Sequence, residues 1–191
     1  MVKILQKGDA ALRAIARPVP REDIDSPKIG KIISTMKKAM HTEEDAVAIA
    51  APQIGESLRI FIVSGKTLAL IGKKGGGSPE TGADKQDKQK EVLPDLVFIN
   101  PKVLRISKKT HMLEEGCLSV RWLYGDVRRA GKVMVQAYDE KGNLFTRGAS
   151  GLLAQIFQHE TEHLDGKLFI DKAVNVKELP PKEPKEKRHA H

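Results

Sequence analysis

A chain of 191 residues with 40% hydrophobic side chains can bury one real core, and no apolar run approaches the ~20 residues needed to span a bilayer. Its single cysteine rules out an intramolecular disulfide framework and Met1–Lys7 has no signal-peptide apolar core, so a cytoplasmic protein is expected, with neither membrane nor DNA as partner. Of the net charge of +8, residues 177–191 supply +2, five Lys or Arg against three Glu; the basic remainder suits salt-dependent attraction to RNA phosphates, although an ordinary solvated surface explains it equally well.

The first periodic element is Pro27–Met40, with Ile29, Ile32, Ile33, Met36 and Met40 on one side and Lys28, Lys31, Lys37 and Lys38 opposite, which predicts an amphipathic helix with a core-facing stripe. Leu58–Val63, Asp95–Ile106 and Lys132–Ala137 carry the β-branched and apolar pattern of strands, and Asp139–Asn143 is a turn signal. Between the first two strands, residues 72–91 hold no large apolar side chain and mix five lysines with four acids around a Gly-Gly-Gly-Ser-Pro run, predicting a solvated inserted loop. A second helix is expected from Ser150, a candidate cap, through Leu152, Leu153, Ile156 and Phe157 to a stop at Gly166. From Val176 the Lys/Pro/Glu-rich composition is too polar to pack. The expected organisation is one α+β domain over 1–175 and a tail over 176–191.

The chemistry concentrates in His159-Glu160-Thr161-Glu162-His163. An HExxH pattern on a helix aims two imidazoles from one face with a carboxylate beside them, the outline of a hydrolytic metal site. A catalytic site needs a third protein ligand. Extending the motif to the long protease form would place it at position 169, which is Phe169, and the downstream acids Glu178, Glu183 and Glu186 lie in the polar tail. Upstream, Cys117 in Glu114-Glu115-Gly116-Cys117-Leu118-Ser119 offers a thiolate, which completes a tetrahedral set with two imidazoles; a lone cysteine is also commonly a small buried apolar residue.

Together with Ala46-Val47-Ala48-Ile49-Ala50-Ala51-Pro52-Gln53-Ile54-Gly55, the EGCLS and QHETEHLDG stretches, in that order, resemble the peptide deformylase family. The resemblance runs from the N-terminal region to about Asp171. It implies mixed and antiparallel sheets around a central HExxH helix, and removal of the formyl group from the N-terminal methionine of nascent polypeptides, releasing formate. It further implies one divalent ion on Cys117, His159 and His163, ferrous iron favoured and zinc the alternative, with Glu160 as general base and acid. Oxyanion donors would be the Gln53 side chain and the Leu118 backbone N–H, and Val47, Ala48, Leu113, Glu115, Leu152 and Ile156 would surround the substrate.

Four departures from the family pattern fall near the site: Ala46 and Ala48 replace glycines, Glu162 replaces aspartate with Arg129 as an expected partner, Arg121-Trp122 stands where proline is common, and Gln155 replaces an apolar residue. They leave the ligands intact and bear on the pocket. A deacylase for a different N-acyl group, a catalytically weak ribosome-associated relative and an HExxH metallopeptidase remain as alternatives.

Overall fold

The computed structural model describes residues 2–74 and 93–180. Helix α1 (Pro27–Thr42) opens with Ser26 accepting from Ile29 N–H and with proline in its first turn, where the missing N–H costs nothing. It buries Ile29, Ile32, Ile33, Met36, Ala39 and Met40. The strands are β1 (Ala48–Ala50), β2 (Ile60–Val63), β3 (Leu96–Ile106), β4 (Thr110–Gly116), β5 (Leu123–Ala130), β6 (Lys132–Tyr138), β7 (Leu144–Ser150) and β8 (Val174–Glu178), with helices α2 (Gly65–Lys74) and α3 (Gly151–Leu164) between them. Among the described residues no helix is long and apolar enough to cross a membrane.

Two antiparallel sheets result, one in the order β1-β2-β3-β6-β7 and one in the order β4-β5-β8. The unbroken apolar run of β2 follows from burial on both faces. Phe61 and Val63 point into the core beneath α3, while Ile60 and Ile62 pack against α1. In the α3 core, Phe61 stacks on Phe98 with ring centroids 4.4 Å apart, and Phe157 meets Phe98 edge-on at 4.9 Å. A third cluster, Leu12, Val120, Val127, Leu168 and Phe169, packs partly buried Cys117.

Two boundaries and one cap differ from the sequence-based expectation. Residues 72–74 close helix α2 instead of opening a loop, since the apolar Leu68 and Ile71 one turn earlier pack on the core and carry the helix through Lys74; the rest of the predicted loop lies outside the described residues. The domain does not stop at 175, because β8 continues to Glu178 on hydrogen bonds to β5, a backbone ladder that needs no apolar side chains. Ser150 stands at the N-cap of α3, yet its hydroxyl makes no capping hydrogen bond.

The other end of α3 follows its signal. Gly166 adopts φ +70°, with its N–H on the His163 carbonyl and the Lys167 N–H on the Glu162 carbonyl, a Schellman closure. A β-carbon there would also lie 2.5 Å from the Arg13 carbonyl oxygen. Gly166→Ala is therefore expected to destabilise the fold by more than about 1 kcal/mol, read as a lower urea midpoint at unchanged slope.

Candidate metal centre and cleft

Four residues apart on α3, His159 and His163 project from the same face, their ring centroids 4.9 Å apart. Cys117 comes from the second sheet, at the turn that follows β4, where Val120 N–H bonds the Cys117 carbonyl. Ligand atoms of Cys117, His159 and His163 all lie within 4.8 Å of one another, and Cys117 Sγ is 3.2 Å from His163 Nε2. Tetrahedral bonds of ~2.3 Å to sulfur and ~2.0–2.1 Å to nitrogen would set such a pair roughly 3.6 Å apart. One sulfur and two nitrogens at this spacing fit a single divalent ion.

A second ring of residues orients these groups. Glu115 Oε2 takes the His159 Nδ1 contact at 2.9 Å, which leaves Nε2 for the cluster. Arg129 grips the same carboxylate with two bonds, Nε to Oε1 at 2.5 Å and Nη2 to Oε2 at 2.7 Å, and reaches Glu162 Oε1 through Nη1 at 2.8 Å. Lys172 closes on Glu162 from the surface. Burial opposes the Glu115 charge, but the bonds from Arg129 and His159 outweigh it and hold the carboxyl at about 2. Burial likewise opposes protonation of His159, yet its bonds to Cys117 and Glu115 raise it well above the usual imidazole value; a metal cation would take that proton's place.

Glu160 is 4% exposed, and its Oε2 has no hydrogen-bond partner among the described residues. Burial pushes its carboxyl up to about 7. A carboxyl poised there can both take and return a proton near neutral pH. Gln53 sits in a 3-10 turn, Ala51–Ile54, that follows β1 directly. Its Oε1 accepts Ala50 N–H at 2.8 Å, so its Nε2 must face the centre, where it donates to Ser119 Oγ at 3.1 Å and lies 3.6 Å from Cys117 Sγ.

A cleft of about 330 Å³ runs past these groups, lined by Val47, Ala48, Gln53, Cys117, Leu118, Leu152, Ile156, His159 and Glu160 among others. One of the expected substrate contacts lies apart from the cleft. Leu113 is not part of the cleft lining; it pairs with Val127 inside the second sheet. Glu115 borders the cleft as expected, and both its carboxylate oxygens are engaged by Arg129 and His159, so its side chain also orients the His159 ring. Ala46 and Ala48 also line the cleft, neither with positive φ, so alanine is tolerated there without strain. Gln155 Nε2 donates to the Glu114 carbonyl at 3.0 Å and approaches Glu115 Oε1 at 3.3 Å.

At the cleft mouth the Arg121-Trp122 departure from the family pattern gains a structural setting. Arg121 binds Asp45 at 2.6 Å and Glu43 at 2.8 Å, with its guanidinium 4.8 Å above the Trp122 ring. A wider depression of about 700 Å³ along α1 holds none of Cys117, His159 and His163.

Comparison with known proteins points to one family. The family model for polypeptide deformylase matches residues 1–179. Peptide deformylase 1A, chloroplastic, of Solanum lycopersicum is 37% identical over 172 residues, which is 90% of this chain and 59% of that protein. The chain thus spans about three fifths of that plant relative's length. Peptide deformylase of Rhodopseudomonas palustris (strain BisA53) is 33% identical, covering 88% of this chain and 81% of the relative. Among solved structures, the Met-Ala-Ser-bound class I type b peptide deformylase of Acinetobacter baumannii superposes with a TM-score of 0.72 at 28% identity, covering 90% of this chain and 99% of that one.

Proposed function

The chain belongs to the peptide deformylase family, and from that premise we propose that it hydrolyses the N-formyl group from the N-terminal methionine of nascent polypeptides, releasing formate. The observation that carries this reading is the convergence of Cys117, His159 and buried His163 within 4.8 Å, beside a cleft that Cys117, His159, Glu160 and Gln53 line. Cys117, His159 and His163 would hold one divalent ion, ferrous iron favoured and zinc the alternative for a thiolate–imidazole set. Such an ion lowers the pKa of water and polarises a carbonyl.

The rest is the work of the chain's own residues. Val47, Ala48, Leu152 and Ile156 supply the apolar wall for the methionine side chain. Glu160 takes the proton from the water that attacks the formyl carbon and hands it to the nitrogen as the C–N bond breaks, leaving formate and a free amine. Gln53 Nε2 and Leu118 N–H donate to the oxygen as its negative charge develops. The Gln53–Ala50 bond holds that amide in place beforehand, so little reorganisation is needed at the moment of reaction. The bound Met-Ala-Ser of the Acinetobacter relative is the product such a cleavage would leave, which supports a peptide lying in the corresponding cleft here. A cytoplasmic site of action and contact with the ribosome surface through the basic body belong to the same reading.

The test is formate release from formyl-Met-Ala-Ser by protein loaded anaerobically with ferrous iron, beside acetyl-Met-Ala-Ser. Formate from the first and no acetate from the second is the expected result. Acetate release alone would transfer the activity to a different deacylase, and silence from metal-loaded protein on both peptides would overturn the catalytic reading.

A further inference from the structure

The two groups assigned to the oxyanion come from different sheets. Gln53 follows β1 of the five-stranded sheet, and Leu118 follows β4 of the three-stranded one. Two consecutive residues of the N-terminal segment join them. Leu5 N–H donates to the Gln53 carbonyl at 2.8 Å, and Gln6 Nε2 donates to the Leu118 carbonyl at 3.0 Å. Leu5 packs into the apolar cluster that holds Cys117, Val120 and Leu12, so this segment is anchored. Gln6 Nε2 also lies 3.3 Å from the Ile4 carbonyl, which helps fix its pose.

The peptide that Gln6 grips has a second end. The Leu118 carbonyl shares its plane with Ser119 N–H, and that N–H points at Cys117 Sγ at 3.4 Å. Drawing charge onto the carbonyl oxygen polarises the N–H in the same sense, so the two hydrogen bonds reinforce one another. One side chain, distant in sequence from every motif, thereby bears on both the orientation of Leu118 and the electron density of the thiolate.

We propose that Gln6 is a positioning residue, which holds the Leu118–Ser119 peptide so that Ser119 N–H faces the Cys117 sulfur and, by anchoring the carbonyl end of Leu118, restrains the adjoining Cys117–Leu118 peptide whose Leu118 N–H faces the oxyanion. This rests on the deformylase reading above. Its function is directional, because an apolar residue of similar shape fills the space without donating and a lysine still donates.

Gln6→Met and Gln6→Lys in the full chain test it. In Gln6→Met, kcat on formyl-Met-Ala-Ser should fall about three- to tenfold, the size of one lost partly exposed hydrogen bond, with KM within about twofold, as for an interaction made only in the transition state. Cobalt-loaded Gln6→Met should show its thiolate-to-cobalt absorption at longer wavelength, since a sulfur with a weaker donor gives up its electrons more readily. Gln6→Lys should restore both. An unmoved band and kcat in Gln6→Met, or a Gln6→Lys as impaired as Gln6→Met, would overturn the proposal alone. A wild-type protein that takes up cobalt without any thiolate band would overturn the metal-centre reading itself, and this proposal with it.

Discussion

Glu160→Gln is expected to lower kcat on a formylated peptide by about two to four orders of magnitude, with metal content and unfolding midpoint close to wild type. The change is isosteric and removes only the ability to carry a proton. Because Glu160 Oε2 has no hydrogen-bond partner among the described residues, the amide that replaces it breaks no existing bond. Its cost should therefore appear in the chemical step and not in the fold. Cys117→Ser separates the remaining rival. A metallopeptidase with its third ligand elsewhere would keep metal and activity in that variant, whereas a centre built on Cys117, His159 and His163 should lose both while Glu160→Gln loses only turnover. Equal metal content in the two variants, measured by mass spectrometry after desalting, would remove Cys117 from the ligand set.

How much of this was legible beforehand depends on what each residue's signal is made of. The ligands sit in dense motifs, and their spacing on α3 follows from helix geometry alone. β2 and the core half of β3 were readable because burial on two faces demands a continuous apolar run. β4 and β8 left no such trace, since their side chains are mostly exposed and what holds them is the backbone ladder to β5. A boundary drawn from composition at 175 therefore falls inside a strand. A linear match to the family draws Leu113 toward the substrate and is silent on Glu115 as a partner of His159, because the alternation of β4 and the arrival of Arg129 from β5 decide where such side chains go, and neither is local in sequence. Ser119 was readable within its motif as the neighbour of Cys117, but its hydroxyl as an acceptor for Gln53 was not. Gln6 lies in no motif, and only the closing of the chain upon itself brings it to Leu118.

Arg129→Met is expected to destabilise the protein by roughly 3–5 kcal/mol, the usual cost of removing one partner of a buried ion pair. Arg129 is 1% exposed and its side chain stands between two carboxylates, Glu115 and Glu162. Without it Glu115 keeps only His159 and the longer bond from neutral Gln155, deep in the fold, and Glu162 keeps only Lys172 at the surface. Methionine fills much of the volume, so a packing defect contributes little and the loss measures the stranded charge. Adding Glu115→Gln removes that charge, and the double variant should regain part of the stability, which a cycle of the four proteins in urea would resolve as a coupling between the two sites. The function should not recover with it. Glu115 as a carboxylate fixes the His159 ring through Nδ1, and loss of such an outer partner typically weakens metal binding by about ten- to a hundredfold. Stability regained with metal affinity still impaired would separate the two duties of the network. A single variant that lost less than about 1 kcal/mol would mean that solvent reaches Glu115 and that the ring around the metal centre is not held by charge.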